Sequence, residues 1–252
     1  MTDRSWNFEG VGERETKLKP LCQQVETHFQ LPAHRLCRYF PRCDDPFFIK
    51  HYPKCFRGFH LPSRKINPIF PNAVRECFLH PPEDVSVDAR FEDRIAFDDL
   101  IYIRPSTCTD INTGLVTTYA HELQHFIRDA AMPRLMDVDE VLRRYLKEEP
   151  STIATDIPSE REANIVSKRV AEIVCGVEDV RRFAEERIAV MEKAGEQDED
   201  ARKERDRWIF FREVPSSTKY DYVADTVRLV EKYKTVLDFG IDVHQPEWWL
   251  CS

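Results

Sequence analysis

A chain of 252 residues, 42% apolar and 33% charged, is long enough for one large domain or a core with added lobes, and apolar enough to bury one. A net charge of −8 argues against a nucleic-acid surface spread over the whole molecule, so nucleic acid is not an expected partner. Seven Gly, with neither G-x-G-x-x-G nor a P-loop among them, set aside the usual nucleotide-dependent enzymes. No apolar run approaches the roughly 18 residues that span a bilayer, and no membrane is expected. Met1-Thr2-Asp3-Arg4-Ser5-Trp6 lacks the apolar stretch of a signal peptide, which makes the cytoplasm the expected compartment. The eight Cys are accordingly read as reduced thiols.

In chain order, residues 1–20 are polar and read as an exposed arm leading into a short helix over Leu21–Phe29. From Gln30 to Pro82 prolines and phenylalanines are dense. No helical period survives them, so loops, short strands and turns packed by aromatics are expected. Cys37, Cys43, Cys55 and His60 raise a second, structural zinc site. Their spacing lacks the paired C-x(2–4)-C pattern of such sites, and buried thiols are the plainer reading. Leu100-Ile101-Tyr102-Ile103 is the strongest strand, β-branched and aromatic and stopped by Pro105.

After a turn-rich connection over Ser106–Gly114 comes Thr117-Thr118-Tyr119-Ala120-His121-Glu122-Leu123-Gln124-His125-Phe126-Ile127, which contains H-E-x-x-H. Val116, Ala120, Leu123, Ile127 and Ala130 recur at helical spacing, predicting a half-buried helix. On it, His121 and His125 lie one turn apart on one face and can bind one metal ion. Glu122 can act as general base towards water at that metal. Zinc then needs a third protein ligand and one open position.

Pro133 ends this helix, and Val138–Glu149 reads as a second, exposed helix with charge on most positions. Another helix runs from Pro158, a tolerated first-turn Pro, to a stop at Gly176. Val166, Val170, Ile173 and Val174 form its expected buried stripe, and Glu162 falls on that stripe. A carboxylate on an apolar face needs a partner, and a metal would supply one. Glu162 could instead close a capping box with Ser159, and Glu160, expected to be exposed, is the competing ligand. Glu178–Lys193 and Ala201–Phe211 are expected to form a charged helical hairpin. Tyr220–Asp238 should follow as an amphipathic helix carrying Val223, Val227, Val230, Val236 and Leu237, closed by Gly240. The apolar end, Glu247-Trp248-Trp249-Leu250, is expected to dock on the body.

Ile101-Tyr102-Ile103, the His121–His125 motif and Glu160-Arg161-Glu162-Ala163-Asn164 together resemble the ImmA/IrrE type of metallopeptidase, over roughly residues 95–175. The resemblance implies His121 and His125 as paired zinc ligands, Glu122 as base and Glu162 as third ligand. It also implies site-specific cleavage of a protein substrate, often a regulator or repressor, in stress or mobile-element control. The chain departs from the pattern in three ways. Gln124 stands where the family commonly has Gly, an extra charged helix separates His125 from Glu162, and Val166 replaces any carboxylate that orients a ligand, for which Asp129 is a substitute.

The expected fold is α+β. A zincin-like core over 83–177 would pack a small sheet on the H-E-x-x-H helix and the Glu-ligand helix, with a loop-rich lobe over 1–82 and a charged helical extension over 178–252. The expected activity is that of an intracellular zinc endopeptidase. Its substrate would add as a strand near Tyr102, with an oxyanion donor among Tyr119, Tyr220 and Tyr222. The alternative is a metallopeptidase scaffold with little or no catalysis, serving as a binding or regulatory module.

Overall fold

The strand read from Leu100–Ile103 is β4, Asp99–Ile103, buried at all five positions of a computed structural model that describes residues 5–7, 15–40, 57–65, 97–104, 113–148, 152–194 and 198–239. The chain is mixed α+β and mostly helical. It forms two compact units, Met1–Phe126 and Ile127–Ser252; the expected boundaries at 82 and 177 follow composition, a different criterion.

In the first unit, the two-residue strand β1 (Trp6–Asn7) and the helix α1 (Glu15–Glu26) precede the strands β2 (Leu36–Tyr39) and β3 (Gly58–Pro62). The sheet order is β1-β2-β4-β3, with β4 parallel to β2 and antiparallel to β3. With a neighbour on each side, β4 has no edge at which a substrate strand could add, which corrects the role expected near Tyr102. Residues 30–40 and 57–65 hold the short strands and turns expected of the Pro-rich region, and the rest of that region lies outside the described residues.

Register sorts the side chains. Leu100 pairs with Cys37 on one side and Leu61 on the other, and Ile101 with Arg38 and His60, so Cys37 and His60 open to opposite faces. They cannot share one zinc, and Cys43 and Cys55 lie outside the described residues. One face stacks Tyr102 against Phe59 (4.8 Å) and Tyr39 (5.9 Å). The other carries Trp6, Arg38, Ile101 and His60.

The helix α1 begins earlier than expected, because Leu18 shares a buried stripe with Cys22 and Val25 and draws the preceding turn into the fold. Pro20, inside it, costs a backbone hydrogen bond that this burial offsets.

The H-E-x-x-H helix is α2, Thr113–Ala131, and every residue from Thr113 to Phe126 is buried, not half of them. Thr117 and Thr118 suit that setting, because their hydroxyls donate to the carbonyls of Thr113 (2.7 Å) and Gly114 (2.9 Å). At Gly58 the sheet comes so close that an added Cβ would lie 2.9 Å from the Tyr102 carbonyl oxygen and 3.0 Å from Thr118 Cγ2.

In the second unit, α3 (Pro133–Glu148) takes Pro133 as its first residue. It is not the exposed helix expected. Leu135, Val138, Leu142 and Leu146 are buried in one core with Ile157, Tyr222, Leu229 and Val230. Next come α4 (Pro158–Cys175), α5 (Val177–Ala194), α6 (Glu199–Glu213) and α7 (Tyr222–Tyr233). The expected start at Pro158 and stop at Gly176 hold, with Gly176 at φ 96°.

The hairpin α5–α6 is also as expected, closed by Phe183, Trp208 and Phe211 with ring centroids 5.4 and 5.2 Å apart. Lys168 of α4 donates to the carbonyls of Arg212 (2.7 Å) and Val214 (2.6 Å), capping the end of α6. The helix α7 is shorter than expected. Asp221 caps it by accepting from the Ala224 amide at 2.9 Å, and Val236, beyond its end, is 65% exposed. Gly240 and the Glu247–Leu250 end lie outside the described residues. Among the described residues, no helix is long and apolar enough to cross a membrane.

The contact at Gly58 gives the first prediction. Gly58→Ala is expected to destabilise the protein by about 1–3 kcal/mol, because the new methyl meets backbone that cannot yield. Urea unfolding measures this, and an unchanged midpoint would refute the close packing of β3 on α2.

Candidate metal centre

The site is built on α2. A four-residue spacing puts His121 and His125 one turn apart, and their Nε2 atoms face one another at 3.1 Å, the rings edge-on at 4.8 Å between centroids. Two nitrogens at the Zn–N distance in a tetrahedral site lie about 3.3 Å apart. The pair therefore fits a shared zinc with little movement. Glu122, next to His121, is buried with them. Burying two imidazoles and a carboxylate on a helix is costly unless each is satisfied, and the donor set is one that zinc takes.

A polar network fixes the rotation of this helix two residues before the first histidine. The Tyr119 hydroxyl donates to Glu26 of α1 and accepts from Arg38 Nε of β2 at 3.1 Å. Arg38 in turn pairs with Glu26 at 2.7 Å and stacks over the Trp6 ring at 4.8 Å. Burial holds the Tyr119 phenol well above the ordinary tyrosine range, so it stays protonated. Engaged in this way, Tyr119 is not the oxyanion donor expected of it.

At the other end of the unit, Phe126 packs edgewise near His60 (5.8 Å) and His34 (6.3 Å). Both imidazoles meet the buried Asp99 carboxylate, His60 at 2.8 Å and His34 at 3.0 Å. No sequence motif announced this cluster, because its members are brought together only by strand register.

Asp129, Glu160 and Glu162 belong to the second unit. Asp129, the expected substitute orienter on the last turn of α2, is buried. On α4 the capping box between Ser159 and Glu162 does not form. The N-cap is Ile157, and Ser159 donates its amide (3.2 Å) and its hydroxyl to Asp139 of α3. Glu162 is buried as expected, but the stripe that predicted it is different. Ile173 is 61% exposed, Val166 and Val174 are half-buried, and the buried apolar residues are Ala163, Ile165, Val170 and Ala171.

The partner of Glu162 is Arg128, which grips both carboxylate oxygens, Nε reaching Oε2 at 2.6 Å and the second arm reaching Oε1. That hydrogen bonding raises the Arg128 pKa further, and the guanidinium lies over the Tyr222 ring at 5.4 Å. Glu160 is not exposed as expected. It is half-buried and pairs through Oε1 with Arg143 at 3.0 Å. The other two candidate oxyanion donors are engaged as well, Tyr220 donating to Asp225 at 2.5 Å and Tyr222 to the Met136 sulfur at 3.3 Å.

Sequence reasoning missed Arg128, although one signal was present. At positions 121, 125 and 128 the spacing places Arg128 on the same stripe of α2 as the two histidines. No protein-family model, curated protein or solved structure matches this chain.

The Tyr119 network gives the second prediction. Tyr119→Phe leaves the buried Glu26 and Arg38 groups short of a partner and is expected to cost about 1–3 kcal/mol. Chemical denaturation measures this, and a neutral substitution would show that the hydroxyl does not hold α2.

Proposed function

We propose that the protein is a zinc-dependent endopeptidase with a zincin-like core, related to the ImmA/IrrE type and acting inside the cell on a specific protein substrate, a regulatory, stress-related or mobile-element protein. The observation that carries this reading is the convergence of the His121 and His125 Nε2 atoms at 3.1 Å on a buried helix that also carries Glu122. His121 and His125 would hold the ion. The third ligand would come from Glu160-Arg161-Glu162, where the sequence favours Glu162. Bound there, zinc supplies Lewis acidity, polarising a scissile carbonyl and acidifying water. Glu122 takes the proton of the attacking water and passes it to the leaving amine, which lets one residue serve as base and then as acid. The buried setting strengthens each of these charge interactions by lowering the local dielectric.

A second reading has its own support. All three candidate oxyanion tyrosines are committed to other partners, and both oxygens of Glu162 are held by Arg128. A scaffold of this kind could bind and regulate a partner without cutting it.

Elemental analysis of protein purified without added metal is expected to find about one zinc per chain. Glu122→Gln is expected to keep that zinc while losing peptide cleavage by a hundredfold or more, on the order expected for a general base. Mass spectrometry of a proteome-derived peptide mixture reads the cleavage. Zinc retained with cleavage unchanged in the variant would overturn the mechanism, and partner binding that survives both the variant and chelation would favour the second reading.

A further inference from the structure

We infer that Arg161 on α4 is a receptor for a carboxylate, the acidic side chain or chain terminus of the peptide that this protein binds. The site lies wholly in the second unit, and the inference holds whether that peptide is cut or only bound.

The acids beside Arg161 in sequence have arginines of their own, Glu160 pairing with Arg143 at 3.0 Å and Glu162 with Arg128. Arg161 is different. The residues three and four positions away, Ile157, Pro158, Asn164 and Ile165, are uncharged, so no acid stands at the spacing where a helix forms ion pairs. Its side chain makes no hydrogen bond or ion pair among the described residues, and its Nε is buried. A buried donor without an acceptor costs free energy, which an arriving anion recovers.

What holds the guanidinium is aromatic. Arg161 lies over the Phe210 ring of α6 at 5.5 Å and the Tyr220 ring at 6.0 Å. Both rings are fastened. Lys168 holds the carbonyls of Arg212 and Val214 at the end of α6. Arg169 donates to the carbonyls of Ser216 (2.7 Å) and Thr218 (2.9 Å), tying the segment between α6 and α7 to α4. Tyr220 donates to Asp225, which also pairs with Arg228 at 2.6 Å. The ring faces orient the guanidinium without using its N–H groups, the preorganisation that recognition of a carboxylate needs. Arg187 also has a buried, unpartnered Nε, but it rests on a single ring, Trp208, which it shares with Arg207. Asp225 is close enough to act on Arg161 electrostatically and disfavours a doubly charged phosphate. A planar, singly charged carboxylate suits the guanidinium fork.

The test follows the arginine Nε–H signals of the full chain by NMR. One probe, N-acetylglutamate α-amide, carries only a side-chain carboxylate; another, N-acetylglutamine, carries only a terminal one; sodium chloride at matched ionic strength is the control. The signal lost in Arg161→Met is that of Arg161. It is expected to move saturably with at least one carboxylate, half-complete at about 1–10 mM, and to stay in place with chloride. The tighter probe identifies the source of the carboxylate. The Arg169 signal, already bonded to a carbonyl, is expected not to follow. Arg161→Met is expected to unfold within about 4 °C of wild type, because methionine keeps the ring contact and removes an uncompensated charge.

An Arg161 signal that neither carboxylate moves, or that moves only in step with Arg169 or with chloride, would overturn the inference. So would a larger loss of stability in Arg161→Met, the mark of a structural arginine. None of these readouts involves zinc or cleavage, so the metallopeptidase reading stands or falls separately.

Discussion

The constraint on which the rest of this structure depends is that α2 is a buried helix that is not apolar. From Thr113 to Phe126 it is out of solvent, yet it carries Thr117, Thr118, Tyr119, His121, Glu122, Gln124 and His125. Each of those groups gives up water on folding, at a cost of a few kcal/mol where nothing replaces it. A chain can tolerate this only if the surrounding elements supply partners, so much of the first unit is arranged around the polar groups of one helix. The threonines solve the problem locally, with carbonyls one turn back. Tyr119 solves it at long range, through Glu26 and Arg38, which tie the helix to α1 and to the sheet. The paired histidines solve it through one another, at a separation that suits an ion between them.

The sheet is small for the work it does, and its register explains how it manages. Alternation sends Tyr39, Phe59 and Tyr102 to one face, where they stack, and reserves the other for Trp6, Arg38, Ile101 and His60. Gly58 also belongs to that second face, through its pairing with Ile103, and the missing side chain lets Thr118 of α2 approach the strand. A slip of one residue in β3 would bring Phe59 to the position of Gly58 and turn His60 away from Asp99. Helix position and strand register are thus two aspects of one constraint.

Much of this was legible in the chain. β4 announced itself by composition, α4 by its Pro and Gly punctuation, and the α5–α6 hairpin by the charged gap between its helices. What failed to show shares one cause, which is that the deciding partner lies far away in sequence. In α3, charges at Arg134, Asp137, Arg143, Arg144 and Lys147 surround an apolar stripe, and composition alone suggested exposure; Leu135, Val138, Leu142 and Leu146 become a core only because Tyr222, Leu229 and Val230 meet them. In α4 the valines looked like the buried face, but Ile173 is exposed while Ser167 and Lys168 are buried. The carbonyls of Arg212 and Val214, some 45 residues on, repay the burial of Lys168, and no local pattern encodes them.

The same cause governs the acidic residues of the candidate site. Glu162 is buried as expected, and the sequence offers it two partners, a metal or its own helix N-terminus. An arginine balances a carboxylate as well, and two-armed pairing satisfies both oxygens in a way a single metal bond does not. Burial therefore identifies a carboxylate that needs a partner without saying which partner it has. Glu162 is such a case, with both oxygens gripped by one guanidinium. In a chain this rich in both Arg and Glu, neither depth of burial nor position in a motif is enough to tell the partner of an arginine from the ligand of a metal.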